Sequence, residues 1–232
     1  MGDNRQSETQ FGLASCPDPD QTLMESFEHL TAEARRRSLV DTLSGAPETS
    51  ELWLFAYGSL IWRPCFTVQS RLKGVLHGYE RRFCVYTVEA RGTPELPGLG
   101  LGLEPAPRLC QGVLLSIPQR DRDQALTALW VREMLTAVYQ PRWLTVETET
   151  EPLKALAFVV DPGHRQYAGH LTEETQAGLI RSARGQLGTC REYLASTVDA
   201  LADAGIDDPY LCLLYTSPSP RDLSTSRMPS SA

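Results

Sequence analysis

A glutamate at position 133 stands where an apolar side chain is expected. Leu126, Leu129, Trp130 and Glu133 follow at steps of three, one and three, which puts the carboxylate on the apolar stripe of a helix. Burying a polar group without partners costs roughly 2–7 kcal/mol, so the placement needs a reason. Desolvation among Trp130, Met134 and Leu135 raises a carboxyl pKa, as a general base working near neutrality requires. The competing reading is a glutamate at the helix end that reaches solvent or pairs with Arg132 or Arg142. A second feature is the run Ala56-Tyr57-Gly58-Ser59-Leu60-Ile61, where an apolar strand enters a turn. Glycine lets the backbone approach a ligand closely, and successive N–H groups can form a concave anion site. The Tyr57 and Ser59 hydroxyls would add donors; alternatively the segment is an ordinary turn between aromatic core residues. The third is Arg91-Gly-Thr-Pro-Glu-Leu-Pro-Gly98, a rigid irregular loop suited to walling a pocket. Its Glu95 is a second carboxylate, read more simply as an exposed loop residue.

Other chemistry is poorly supported. Nucleophile elbows, Walker loops, dinucleotide fingerprints and zinc-protease motifs are absent from the sequence. His164 and His170 make a weak metal pair and read better as solvated loop histidines. The six cysteines (16, 65, 84, 110, 190 and 212) form no Cys-x-x-Cys pair and read as isolated reduced thiols.

The elements that must position these residues follow from periodicity. Strands are predicted at Leu52–Ala56, Leu72–His77, Arg82–Val88, Leu99–Leu103, Gln111–Ile117, Arg142–Glu147 and Leu153–Val160. Helices are predicted at Asp121–Thr136, Thr172–Gly185 and Thr189–Ala204, the last stopped by Gly205. Strands first, one inserted helix and then terminal helices describe an α+β domain with a small barrel or curled sheet. Residues 51–212 form this domain. Residues 1–50 read as an extension with a disordered start and one amphipathic helix from Leu23 to Leu43, packed on the domain surface. Residues 213–232, rich in Ser and Pro and without periodicity, read as a non-native disordered tail.

The chain has 232 residues and a formal net charge of −7, of which −5 lies in residues 1–50. An acidic balance argues against nucleic-acid partners and against docking on anionic membranes. No apolar run approaches the ~20 residues of a membrane span, and no leader pattern is readable, so a cytoplasmic location is expected.

Taken in order, several segments resemble the ChaC-like family of glutathione-specific γ-glutamylcyclotransferases. They are Phe55-Ala-Tyr-Gly-Ser-Leu-Ile-Trp-Arg-Pro64, Arg82-Phe-Cys-Val-Tyr86, the 91–98 loop, Arg132-Glu-Met-Leu-Thr136 and Val138-Tyr-Gln-Pro-Arg-Trp143. Ala157-Phe-Val-Val-Asp161, Gln166-Tyr-Ala-Gly169, Glu192-Tyr-Leu194 and Thr197-Val198 complete the set, which spans about residues 52–211. The resemblance implies a mixed β-barrel with flanking helices and a lyase that cleaves glutathione to 5-oxoproline and Cys-Gly. It implies that Ala56–Ile61 bind the γ-glutamyl group and that Glu133 is the catalytic acid/base. Arg91 and Tyr139 are further pocket candidates. No cofactor or metal is implied, since the substrate's own α-amine is the nucleophile. Two alternatives share the scaffold: a catalytically silent γ-glutamyl-binding module, and a cyclotransferase for another γ-glutamyl amine. The C-terminal end of the family domain is expected to stop near Leu211.

Overall fold

The computed structural model describes residues 27–48 and 51–217. The predicted disordered start, the first turn of the predicted N-terminal helix and residues 218–232 of the predicted tail lie outside the described residues. Thr31 begins helix α1, Ala32–Ser44, by accepting the Ala34 N–H on its hydroxyl. Residues 27–31, which periodicity placed in this helix, therefore lie ahead of it. The preceding segment is held another way: Leu30 N–H donates to Leu135 O and Phe27 is buried.

Five strands make one sheet: β1 Leu52–Ala56, β2 Arg71–Thr87, β3 Gly98–Ile117, β4 Tyr139–Val146 and β5 Leu153–Val160, in the order β2-β3-β1-β5-β4. β1 is antiparallel to β3 and parallel to β5. The sheet curls until its edges touch, where Val75 of β2 and Glu147 exchange backbone hydrogen bonds of 2.9 Å. This is the expected curled α+β sheet with flanking helices.

The four strands predicted between Leu72 and Ile117 are two long ones. Pro105 and Pro107, which cannot donate to a ladder, hide the continuity of β3 in sequence. They lie beside a register shift between His77 and Tyr79, where Gly78 takes φ +80°.

A short 3-10 turn at Gln119–Asp121 leads into helix α2, Arg122–Glu133. Its stripe of Ala125, Leu126, Leu129 and Trp130 is buried, with Trp130 edge-on to Phe158 of β5 at 5.5 Å. Helix α3, Glu173–Ser182, stops short of Gly185, which instead enters the small hairpin β6 Arg184–Gly185 and β7 Gly188–Thr189. Helix α4, Cys190–Asp203, opens with a full capping box between Thr189 and Glu192. Helix α5, Pro209–Thr216, runs through position 212, where periodicity ended the domain. Asp208 caps it, Pro209 fits its first turn, and Leu211 and Leu214 are buried. Among the described residues no helix is long and apolar enough to cross a membrane.

Candidate active site

Glu133 is the last residue of α2, and its side chain, 17% exposed, sits on the wall of a cavity of about 40 Å³. Both sequence readings of this residue are partly realised. It is at the helix end and its Oε1 pairs with Arg132 Nε at 3.0 Å, yet it also faces a half-open cavity. Arg142 is not involved; it donates to Gln140. Burial raises the Glu133 carboxyl above its ordinary pKa, and the charge and hydrogen bond of Arg132 oppose that rise. Met134 is buried as expected, whereas Leu135 is exposed and helps line a wider outer cleft.

The opposite wall is the turn that follows β1. Ala56, Tyr57, Gly58, Ser59 and Leu60 all line the cavity. Ile61 does not: it is buried in the core, and its N–H closes the turn on Gly58 O at 2.9 Å. The N–H groups of Gly58, Ser59 and Leu60 meet no acceptor among the described residues. Space at Gly58 is tight, since a Cβ there would lie 3.2 Å from the Tyr193 hydroxyl.

The hydroxyls behave differently from expectation. Tyr57 OH donates to Phe158 O at 2.7 Å, so its proton ties the end of β1 to β5 and is not offered to a ligand. Ser59 Oγ accepts from Arg132 Nη2 at 2.9 Å, which leaves its own proton available. Tyr139 OH donates to Leu101 O at 2.7 Å. Burial, reinforced by neighbouring phenols and by Glu133, holds the Tyr57 and Tyr139 phenols well above the ordinary value. The site is therefore lined by neutral phenols.

The small cavity opens beside a cleft of about 580 Å³ that shares Ser59, Leu101, Glu133, Tyr139 and Tyr193 with it. Arg91 lines this outer cleft rather than the inner cavity. It lies over the Tyr193 ring at 5.7 Å and donates to Thr189 O. Glu95 is exposed and lines neither space. Cys65 borders the cleft, but burial pushes its thiol up despite Arg132, so it is no ready nucleophile. His164 accepts the Gln166 N–H within its own turn, and no cluster of three metal-ligating side chains occurs among the described residues.

Sequence reasoning missed two residues as part of the site. Arg132 also bonds to the Arg63 carbonyl, and so ties α2 to the far end of the turn. Tyr193, whose phenol burial pushes up to about 12, comes from α4 at a sequence distance no motif spacing discloses.

A curled α+β sheet that encloses a partly buried carboxylate opposite a glycine turn is the γ-glutamyl cyclotransferase type of fold. The crystal structure of the yeast γ-glutamyl cyclotransferase specific to glutathione matches it with a TM-score of 0.67 at 25% identity, over 72% of this chain and 95% of the yeast chain. The chain belongs to the ChaC-like protein family, whose model matches residues 52–217. Among its relatives, the glutathione-specific γ-glutamylcyclotransferase of Escherichia coli K12 is 36% identical over 188 residues, 81% of either chain. The human glutathione-specific γ-glutamylcyclotransferase 1 is 35% identical over 158 residues, 66% of this chain and 71% of the human one.

Proposed function

We propose that the protein cleaves glutathione to 5-oxoproline and Cys-Gly, with Glu133 as the proton carrier. The observation that carries this reading is a carboxylate with a raised pKa facing unpaired backbone donors across a half-open cavity. The γ-glutamyl head enters the inner cavity and the Cys-Gly part lies in the outer cleft. Arg63, Arg91 and Arg132 line that cleft, so the local field suits an anionic substrate although the whole chain is acidic.

The reaction needs little covalent help. Glu133 takes a proton from the substrate ammonium; the freed α-amine attacks the δ-carbonyl and a C–N bond closes the five-membered ring. The oxyanion so formed collapses and the bond to the cysteine nitrogen breaks as protonated Glu133 gives its proton to that leaving nitrogen. The ring nitrogen then passes its second proton through the regenerated carboxylate to the Cys-Gly amine, leaving a neutral lactam and an ammonium product. Holding amine and carbonyl in contact supplies much of the rate, since effective molarities of oriented intramolecular reactions reach ~10⁵–10⁸ M. The N–H groups of Gly58, Ser59 and Leu60 would hold the substrate α-carboxylate and the oxyanion. Five free cysteines among the described residues, three of them buried, support a reducing compartment, the cytoplasm.

Incubation with glutathione and a panel of γ-glutamyl dipeptides, with detection of 5-oxoproline, tests the proposal. Release from glutathione above the other members is expected. Preference for another γ-glutamyl amine, or binding of glutathione without turnover, would replace it with one of the two alternatives.

A further inference from the structure

The glycine turn begins where β1 leaves the sheet. The last rung of the β1–β3 ladder is Ala56 against Val113. Beyond it, the carbonyls of Tyr57 and Gln111 accept from one side chain, Arg81 of β2, at 2.6 and 2.7 Å. The same guanidinium donates through Nε to Asp208 Oδ2 at 2.9 Å. Arg81 is 3% exposed at its side chain, and a cation so buried is costly unless it is paired. Asp208 is shared: its other oxygen accepts the Leu211 N–H and caps α5.

The carbonyl that Arg81 grips belongs to the Tyr57–Gly58 peptide, which is trans. A trans peptide directs its C=O and N–H oppositely. Gripping the oxygen from the sheet side therefore turns the Gly58 N–H away from Arg81, on a residue that lines the cavity and whose N–H has no acceptor among the described residues. A cation on the carbonyl also polarises the peptide and strengthens its N–H as a donor.

We propose that Arg81, anchored by Asp208, is a positioning residue that fixes and polarises the Tyr57–Gly58 peptide so that the Gly58 N–H meets an anionic oxygen of the substrate. This rests on the cyclotransferase reading. It makes α5 part of the site's support, although that helix contributes no wall to the inner cavity.

The test compares the full-length protein with Arg81→Gln and Asp208→Asn by thermal unfolding, by glutathione turnover and by glutathione binding in calorimetry. Arg81→Gln is expected to lose at least about tenfold in kcat/KM, toward the ~10²–10³ that accompanies loss of one oxyanion donor. A fall in kcat assigns the Gly58 N–H to the oxyanion, and a rise in KM assigns it to the α-carboxylate. A folded Arg81→Gln protein with kcat and KM both within about twofold of wild type overturns the proposal.

Should Arg81→Gln fail to fold, Asp208→Asn decides. Asn caps a helix as well as Asp does, so α5 keeps its cap while Arg81 loses its anion. Positioning predicts at least about a threefold loss in kcat/KM where the variant is fully folded; a lowered unfolding temperature with wild-type kinetics overturns it. If wild type binds glutathione without turnover, the function reading fails separately. Arg81→Gln must then weaken binding at least about tenfold, and unchanged binding overturns the positioning role. A wild type that neither turns over nor binds glutathione removes both.

Discussion

At Glu133 two effects oppose each other, and burial prevails over the guanidinium beside it. A raised carboxyl pKa keeps the acid form to higher pH, so the active base accumulates as pH rises. The acid limb of kcat/KM should have its midpoint above the ordinary 4.5. Arg132→Met removes the opposing cation and should move that midpoint further up; a downward move would contradict the assignment. The same shift has a stability consequence of definite sign. A folded state with the higher pKa binds the proton more tightly, so its stability is full below the unfolded value and is lost as pH rises through the folded one. Glu133→Gln should therefore unfold at a higher temperature than wild type at pH 7, with the gap closing toward pH 4. It should also lose about 10²–10⁴ in kcat, the usual reach of general acid–base catalysis. A variant that loses activity and melts lower instead would mark Glu133 as a structural ion pair with Arg132.

The elements around it are held by polar struts between strands and turns. Tyr57 OH on Phe158 O fastens the end of β1 to β5, across a sequence separation of 101 residues. Tyr57→Phe strands that buried carbonyl, and an unsatisfied buried acceptor costs about 1–3 kcal/mol. Its urea midpoint should fall accordingly, and an unchanged midpoint would show that the strut bears nothing. Helix α2 and strands β1 and β5 were readable because their apolar residues follow one period without interruption. The continuity of β2 and β3 as long strands was not, because Pro105 and Pro107 carry the signature of a break while β3 itself bulges there, its residues 106–108 standing against Gly78 of β2. Helix α5 escaped because eight residues hold too few turns for periodicity to register.

In the whole molecule, α1 and the segment before it brace α2, the residues just after it and β4. Trp130 Nε1 donates to Ser38 Oγ at 3.2 Å, Trp143 Nε1 to Thr42 O at 2.9 Å, and Leu30 N–H to Leu135 O. We propose that this is the role of residues 27–48 of the extension. A protein starting at residue 51 should lose about 0.5–1.5 kcal/mol for each of these bonds. Its unfolding temperature should fall by several degrees, at roughly 2–4 °C per kcal/mol for a domain of this size. An unchanged unfolding temperature would make the extension a passenger. The sequence by itself determined the curled α+β class, the family pattern and the anomaly at Glu133, because strand and helix periods and a misplaced charge are local properties of a chain. Only the tertiary structure decided that Arg132 and Tyr193 join the cavity, that Tyr57 spends its proton on β5, and that Arg81 grips the glycine turn. Those facts rest on contacts between residues 24 to 135 positions apart, set by how the sheet curls. No local pattern encodes which distant backbone carbonyl a buried side chain will meet.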